Sequence, residues 1–170
     1  MKEKTKGDWS EVYVFLTLLQ KKELDWIDDK GKKRTNKIGT IIRPQTPETE
    51  YIINENSVSV KSDKGTIEVS DDKIKSLAEK FKTEFDERRN SKDKQKIKFP
   101  PEDLIDKLEQ VLRCPFSRAN GNTKSDIKIQ FKGGDKTLGC SIKSFAGERP
   151  TIFGGGKDKS LMFEYKNVRS

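Results

Sequence analysis

The chain sets an acid and a lysine on either side of a glycine turn. Asp126 lies in Ser125-Asp126-Ile127-Lys128-Ile129. Lys143 lies in Gly139-Cys140-Ser141-Ile142-Lys143-Ser144, with Gly133-Gly134 between the two runs. A turn at the glycines makes the runs a β-hairpin and places Asp126 roughly opposite Ser141 to Lys143. Strand alternation then sorts the side chains. Ile127, Ile129 and Phe131 share one face with Cys140 and Ile142. Asp126, Lys128 and Gln130 share the other with Ser141 and Lys143. One face is core; the other gathers an acid and a lysine at one end of the hairpin. That is the smallest layout of a metal-dependent phosphodiesterase site. A carboxylate holds a hard cation such as Mg2+ through oxygen. The metal polarises a phosphate and acidifies a water. A lysine orients that water and offsets the developing negative charge. The chain has no histidine, which excludes most other nuclease chemistries.

The same hairpin also fits a plainer role, an exposed cross-strand Asp–Lys pair, which is worth little in water. A metal site needs a second acid. Ser141 stands where a D…(D/E)xK site usually carries it, and a hydroxyl brings no charge. The backbone carbonyl of Ile142 is a further possible ligand. Glu11 is the first choice for the remote acid, because its helix is otherwise apolar and a carboxylate short of solvent needs a partner. Its rival role is local: Asp8-Trp9-Ser10-Glu11 resembles a capping box, with Glu11 serving the helix N-terminus. Glu148 and Glu164 are weaker substitutes.

The elements that must position these residues follow from periodicity. Asp8 to Gln20 predicts a largely buried helix, because Trp9, Val12, Tyr13, Phe15, Leu16, Leu18 and Leu19 leave almost no polar face; Asp8 suits its N-cap. Lys21 to Lys37 is polar and basic, a loop or hairpin tip. Ile38 to Arg43, Tyr51 to Ile53, Ser57 to Lys61 and Thr66 to Val69 are short strands, punctuated by Pro44, Pro47, Asn54-Glu55-Asn56 and Lys64-Gly65. Asp71 to about Arg89 is an amphipathic helix on Ile74, Leu77, Ala78, Phe81 and Phe85. A basic linker from Arg88 to Lys98 leads to a helix that Pro101 opens, with Leu104, Ile105, Leu108, Val111 and Leu112 as its stripe. The hairpin follows, then the loop Phe145 to Arg149, a Gly154-Gly155-Gly156 turn and a strand at Leu161 to Tyr165. The order predicts a mixed α/β (α+β) fold: a central mixed β-sheet with flanking helices.

At 170 residues the chain suffices for one domain. Charged residues are 38% and hydrophobic ones 31%, so the core is modest. The net charge of +8 favours an anionic partner, nucleic acid first. Cys114 and Cys140 form no CxxC pair, and without histidine a structural zinc site is excluded in practice. Two lone cysteines fit a reducing, cytoplasmic setting. The apolar run Val12 to Leu19 is too short to span a bilayer.

In ordered combination these pieces resemble the HpaII-type restriction endonucleases of the PD-(D/E)xK nuclease group. The matching residues are Lys6-Gly7-Asp8-Trp9-Ser10-Glu11-Val12-Tyr13, Leu18-Leu19, Lys124-Ser125-Asp126-Ile127, Gly139-Cys140-Ser141-Ile142-Lys143-Ser144, Gly147, Pro150-Thr151 and Phe163-Glu164-Tyr165. The resemblance implies a restriction-endonuclease-like core and a Mg2+-dependent type II enzyme cutting double-stranded DNA at a short palindrome, CCGG for the namesake. It makes Asp126 and Lys143 catalytic, Glu11 the extra acid and Ser141 part of an S-x-K variant of the motif. Asp126, Glu11 and the Ile142 carbonyl would be the metal ligands. Gly154-Gly155-Gly156 departs from the Asn-Ala-Ser-like turn expected there. Relatives continue well past the core motifs, so residues 1–170 are expected to be a single nuclease-type domain representing an N-terminal portion or short form.

Two basic clusters could grip phosphates: Lys32, Lys33, Arg34 and Lys37, and Arg88, Arg89, Lys92, Lys94, Lys96 and Lys98. With acids interspersed, each is equally a solvated charge run. Arg118, Asn120, Asn122 and Arg149 carry the groups that read bases in a groove. A palindromic site would suit a two-fold homodimer. Two rival functions stay open: a repair or junction nuclease on the same core, and a non-catalytic basic DNA-binding domain.

Overall fold

The computed structural model describes residues 6–44, 48–89, 102–113 and 125–142. Its helices are α1 (Lys6–Lys21), α2 (Asp71–Arg89) and α3 (Glu102–Leu112). Its strands are β1 (Glu23–Ile27), β2 (Lys33–Arg43), β3 (Thr49–Ile53), β4 (Ser57–Ser62), β5 (Gly65–Ser70), β6 (Ile127–Phe131) and β7 (Thr137–Cys140). The fold is α+β, as expected. The seven strands form one sheet in the order β5-β4-β3-β2-β6-β7, with β1 added on β2. Every described pair is antiparallel. Tight hairpin turns join β1 to β2, β4 to β5 and β6 to β7, and such turns can only produce antiparallel neighbours.

The apolar periodicities do what they predict. In α1, Val12, Phe15, Leu16, Leu18 and Leu19 are buried, while Tyr13 and Val14 pack partly against the core. Ile74, Leu77, Ala78 and Phe81 face inward from α2, and Leu104, Leu108 and Leu112 from α3. Asp71 and Asp72 open α2, where negative charge complements the helix dipole. The helical residues meet Ile38, Ile41, Tyr51, Val58, Val60, Val69, Ile127 and Ile129 from the sheet in one core.

Tyr51 is the point where two helices dock. Its ring packs edge-on against Phe15 of α1 at 4.8 Å between centroids. Its hydroxyl donates to the carbonyl of Leu112, at the end of α3, at 2.9 Å. The guanidinium of Arg43 in β2 sits 5.1 Å from the Phe15 ring centre, a cation–π contact in a buried setting.

Lys22 ties a second junction. It leaves α1 with φ 58°, a left-handed turn unusual for a residue with a side chain. Its ammonium donates to the carbonyls of Asn54 and Glu55, both at 2.9 Å, and to the Asp71 carboxylate at 2.5 Å. The end of α1, the β3–β4 turn and the start of α2 are thereby fastened to one side chain.

Two local expectations change. α1 begins at Lys6, so Asp8 lies inside the helix rather than at its cap, and Glu11 stands in the second turn. Lys21 to Lys37 is more than a loop or hairpin tip. β1 and the first half of β2 make a paired ribbon from Glu23↔Lys37 to Ile27↔Lys33. Glu23-Leu24-Asp25-Trp26 alternates polar and apolar, but the exposed Ile27 and the all-polar Lys32 to Lys37 hide the pairing.

Candidate active site

β6 and β7 position the acid. Their register pairs Ile127 with Cys140 and Gln130 with Thr137. Gly133, at φ 78°, supplies the left-handed turn that closes the hairpin, and the Gly134 amide donates to the Phe131 carbonyl. The expected division of faces holds: Ile127, Ile129, Cys140 and Ile142 are buried. Lys128 and Gln130 are half-exposed on the other side.

The β6–β7 pairing ends at Ile127↔Cys140, and Asp126, just beyond it, lies against the backbone on either side of Ser141. Asp126 is held there from both ends. Its amide donates to the Cys140 carbonyl at 3.0 Å, and its carboxylate oxygen Oδ2 accepts the Ile142 amide at 2.6 Å. A backbone N–H fixed on one oxygen sets the direction of the carboxylate without neutralising it. The Asp126 charge is felt next door. Burial first, then the Asp126 charge, pushes the Cys140 thiol up to about 11.

A close approach shapes the same end of the hairpin. A Cβ on Gly139 would lie 3.3 Å from the Cβ of Ser125 and 3.4 Å from its hydroxyl oxygen. Glycine at that position lets the residue before Asp126 fold across β7. The run Gly139-Cys140 shows the glycine in sequence, but only the path of the chain before β6 shows what it accommodates.

The structure therefore brings Asp126, Ser141 and Ile142 together. Glu11 is half-buried in α1 between Ser10 and Val12, both buried. Starting α1 at Lys6 takes Glu11 out of the first turn and weakens the capping role as its explanation. Lys143, Arg118, Asn120, Asn122 and Arg149 lie outside the described residues, as do Glu148 and Glu164. Among the described residues no group of three or more His, Cys, Asp and Glu stands together to hold a metal. Mg2+ does not require one: it is bound through one or two carboxylates and keeps several waters. Asp126 supplies one fixed carboxylate, a hard oxygen donor of the kind that suits such a cation.

Lys33 and Arg34 are on β2, in the ribbon. Lys33 pairs with Asp25 at 2.8 Å and Arg34 with Asp28 at 3.0 Å. Asp28 also accepts the Lys30 and Lys32 amides and so shapes the turn. The Lys32 amide, burial opposing, and then the Arg34 guanidinium leave its carboxyl below the usual range. Sequence reasoning missed these acidic partners. The signal was there: Asp28 to Gly31 is a turn between Leu24-Asp25-Trp26-Ile27 and Arg34-Thr35-Asn36-Lys37.

The family model for the HpaII restriction endonuclease matches residues 5–170. The chain belongs to the HpaII restriction endonuclease family. That membership makes it a restriction nuclease and implies DNA as its partner. Comparison with curated proteins and with solved structures gives no match. No described helix of this family member is long and apolar enough to cross a membrane.

Proposed function

We propose that this chain is a Mg2+-dependent type II restriction endonuclease that hydrolyses double-stranded DNA at a short palindrome, CCGG. The observation that carries the reading is the family match over residues 5–170, with Asp126 at the hairpin position where the chemistry needs an acid. Asp126, Glu11 and the Ile142 carbonyl would hold the cation, which supplies a polarised phosphate and an acidified water. Asp126 is aimed by the Ile142 amide, so its oxygen direction is set before any ligand arrives. Ser141, between the Cys140 carbonyl and the Ile142 amide that hold Asp126, offers a hydroxyl where a second acid would add charge. Lys143, next after Ile142, is assigned the attacking water: it orients the water and offsets charge on the phosphate. Arg118, Asn120, Asn122 and Arg149 are assigned to the bases and Lys33 to phosphates, while Arg34, on the other face of the ribbon and paired with Asp28, is left to the turn.

A plasmid digest tests this directly. In Mg2+ the chain should give discrete fragments ending at CCGG. Asp126→Ala should lower cleavage at least ~100-fold while duplex binding persists. Lys143→Ala should lower cleavage with metal binding kept, and Glu11→Gln should weaken metal binding. Random degradation would reject the site-specific reading. No cleavage of any DNA in any divalent metal would reject the enzymatic one.

A further inference from the structure

The β1–β2 ribbon has two different faces. Leu24, Trp26, Asn36 and Arg34 share one by register; Leu24 on it is buried and Trp26 and Asn36 are half-buried. Glu23, Asp25 and Ile27 share the other with Lys37, Thr35 and Lys33, and all six are exposed. The outward face is therefore a paired, two-stranded surface with donors at alternate positions of β2: Lys33, Thr35 and Lys37. A ribbon of this width is one of the shapes that the major groove admits. Five paired positions give it a length of about 17 Å.

One side chain on that face already does what a phosphate would do. Asp25 accepts the Thr35 hydroxyl on Oδ1 at 2.5 Å and the Lys33 ammonium on Oδ2 at 2.8 Å. A cation and a hydroxyl converging on two oxygens of one anion is the contact set of a backbone phosphate. The pair is open to water, with 72% of Lys33 and 53% of Asp25 exposed. So exposed a pair is weakly held, and a phosphate can replace the carboxylate. Lys33, then Thr35, keeps Asp25 ionised below its ordinary range, and Asp25 raises Lys33 in return.

We propose that the outward face of the β1–β2 ribbon seats the DNA duplex, with Lys33, Thr35 and Lys37 on its phosphates, and that Asp25 holds Lys33 and Thr35 in the free protein as a phosphate stand-in. This rests on the duplex-DNA reading above and assigns it an element. Displaced, Asp25 remains a negative charge beside the backbone. It therefore penalises every duplex about equally, lowering specific and non-specific affinity alike and leaving their ratio unchanged.

Equilibrium binding of the full chain tests it, in EDTA so that no strand is cut. The probes are a short fluorescent duplex carrying CCGG and one lacking it, titrated across a range of salt. Asp25→Asn should bind both duplexes several-fold tighter. Lys33→Met and Lys37→Met should each weaken both duplexes and lower the salt slope by about one. Thr35→Val should weaken binding and leave the slope unchanged. Unchanged affinity and slope in both lysine variants would overturn the ribbon and leave the duplex reading standing. Asp25→Asn binding no tighter, with its melting temperature intact, would overturn the stand-in. If Asp25→Asn melts early, the two lysine slopes decide. Failure of the native chain to bind either duplex would defeat the duplex reading itself.

Discussion

Asp126 is positioned by two backbone contacts, its amide on Cys140 and its carboxylate on Ile142. Asp126→Asn separates position from charge, because an amide oxygen still accepts the Ile142 N–H. The expected outcome is a melting temperature close to native with Mg2+-dependent cleavage lost, measured by calorimetry and plasmid digestion side by side. A parallel loss of stability would make the residue structural. Cys140 reports on the same corner. Its thiol stays protonated in the folded chain up to about 11, against an ordinary 9.0. Between those values the unfolded chain gives up a proton that the folded chain keeps, so stability falls as pH rises. That fall should be reduced in Cys140→Ala, seen as a flatter dependence of the denaturation midpoint on alkaline pH. The same burial should keep Cys140 unreactive to thiol reagents near neutral pH until the protein unfolds.

Three elements converge on Tyr51: α1 through Phe15, α3 through the Leu112 carbonyl, and β3 itself. Tyr51→Phe keeps the ring packing and removes only the hydroxyl. It leaves the buried Leu112 carbonyl short of a donor, at a cost of about 1–3 kcal/mol, read from urea denaturation. An unchanged midpoint would mean that α3 is held by its Leu104, Leu108 and Leu112 stripe alone. How readily each element could be recognised depended on whether one of its faces is buried. α2, α3, β3 and β4 each bury a stripe or alternate set, so spacing exposes them; β5 buries only Val69, and the Lys64-Gly65 turn marks it. β1 buries only Leu24 within Glu23–Ile27, with Trp26 half-buried. Its short alternation, Glu23-Leu24-Asp25-Trp26, pairs with an all-polar run from Lys33 to Lys37, so the segment reads as a basic loop. Its pairing with β2 shows only in the register.

At the scale of the molecule, the excess of positive charge sets how strongly the chain responds to salt, while the site sets where it cuts. EDTA should abolish cleavage and leave duplex binding in place, since cations on the surface need no metal. Readdition of Mg2+ should restore cutting; cleavage persisting in EDTA would remove the metal from the mechanism. A palindromic target predicts a two-fold assembly on DNA. Sedimentation with a CCGG duplex should show two chains per duplex. One chain per duplex, with both strands still cut, would require a monomer that acts twice.

Composition, periodicity and motif order were enough for the α+β class, the core stripes, the hairpin at Gly133-Gly134 and the family resemblance. These depend on residue spacing along one element or on local turn chemistry, and both are written in linear order. The hairpin alone left Asp126 open between a surface ion pair and a site. Deciding what surrounds it needed contacts across the fold. The Ile142 amide on its carboxylate and Ser125 lying over Gly139 arise where the chain leaves the β6–β7 pairing, and Asp25 occupying Lys33 and Thr35 depends on strand register. Register places side chains from separate segments within hydrogen-bond reach, and a shift of one residue would turn each of them to the opposite face.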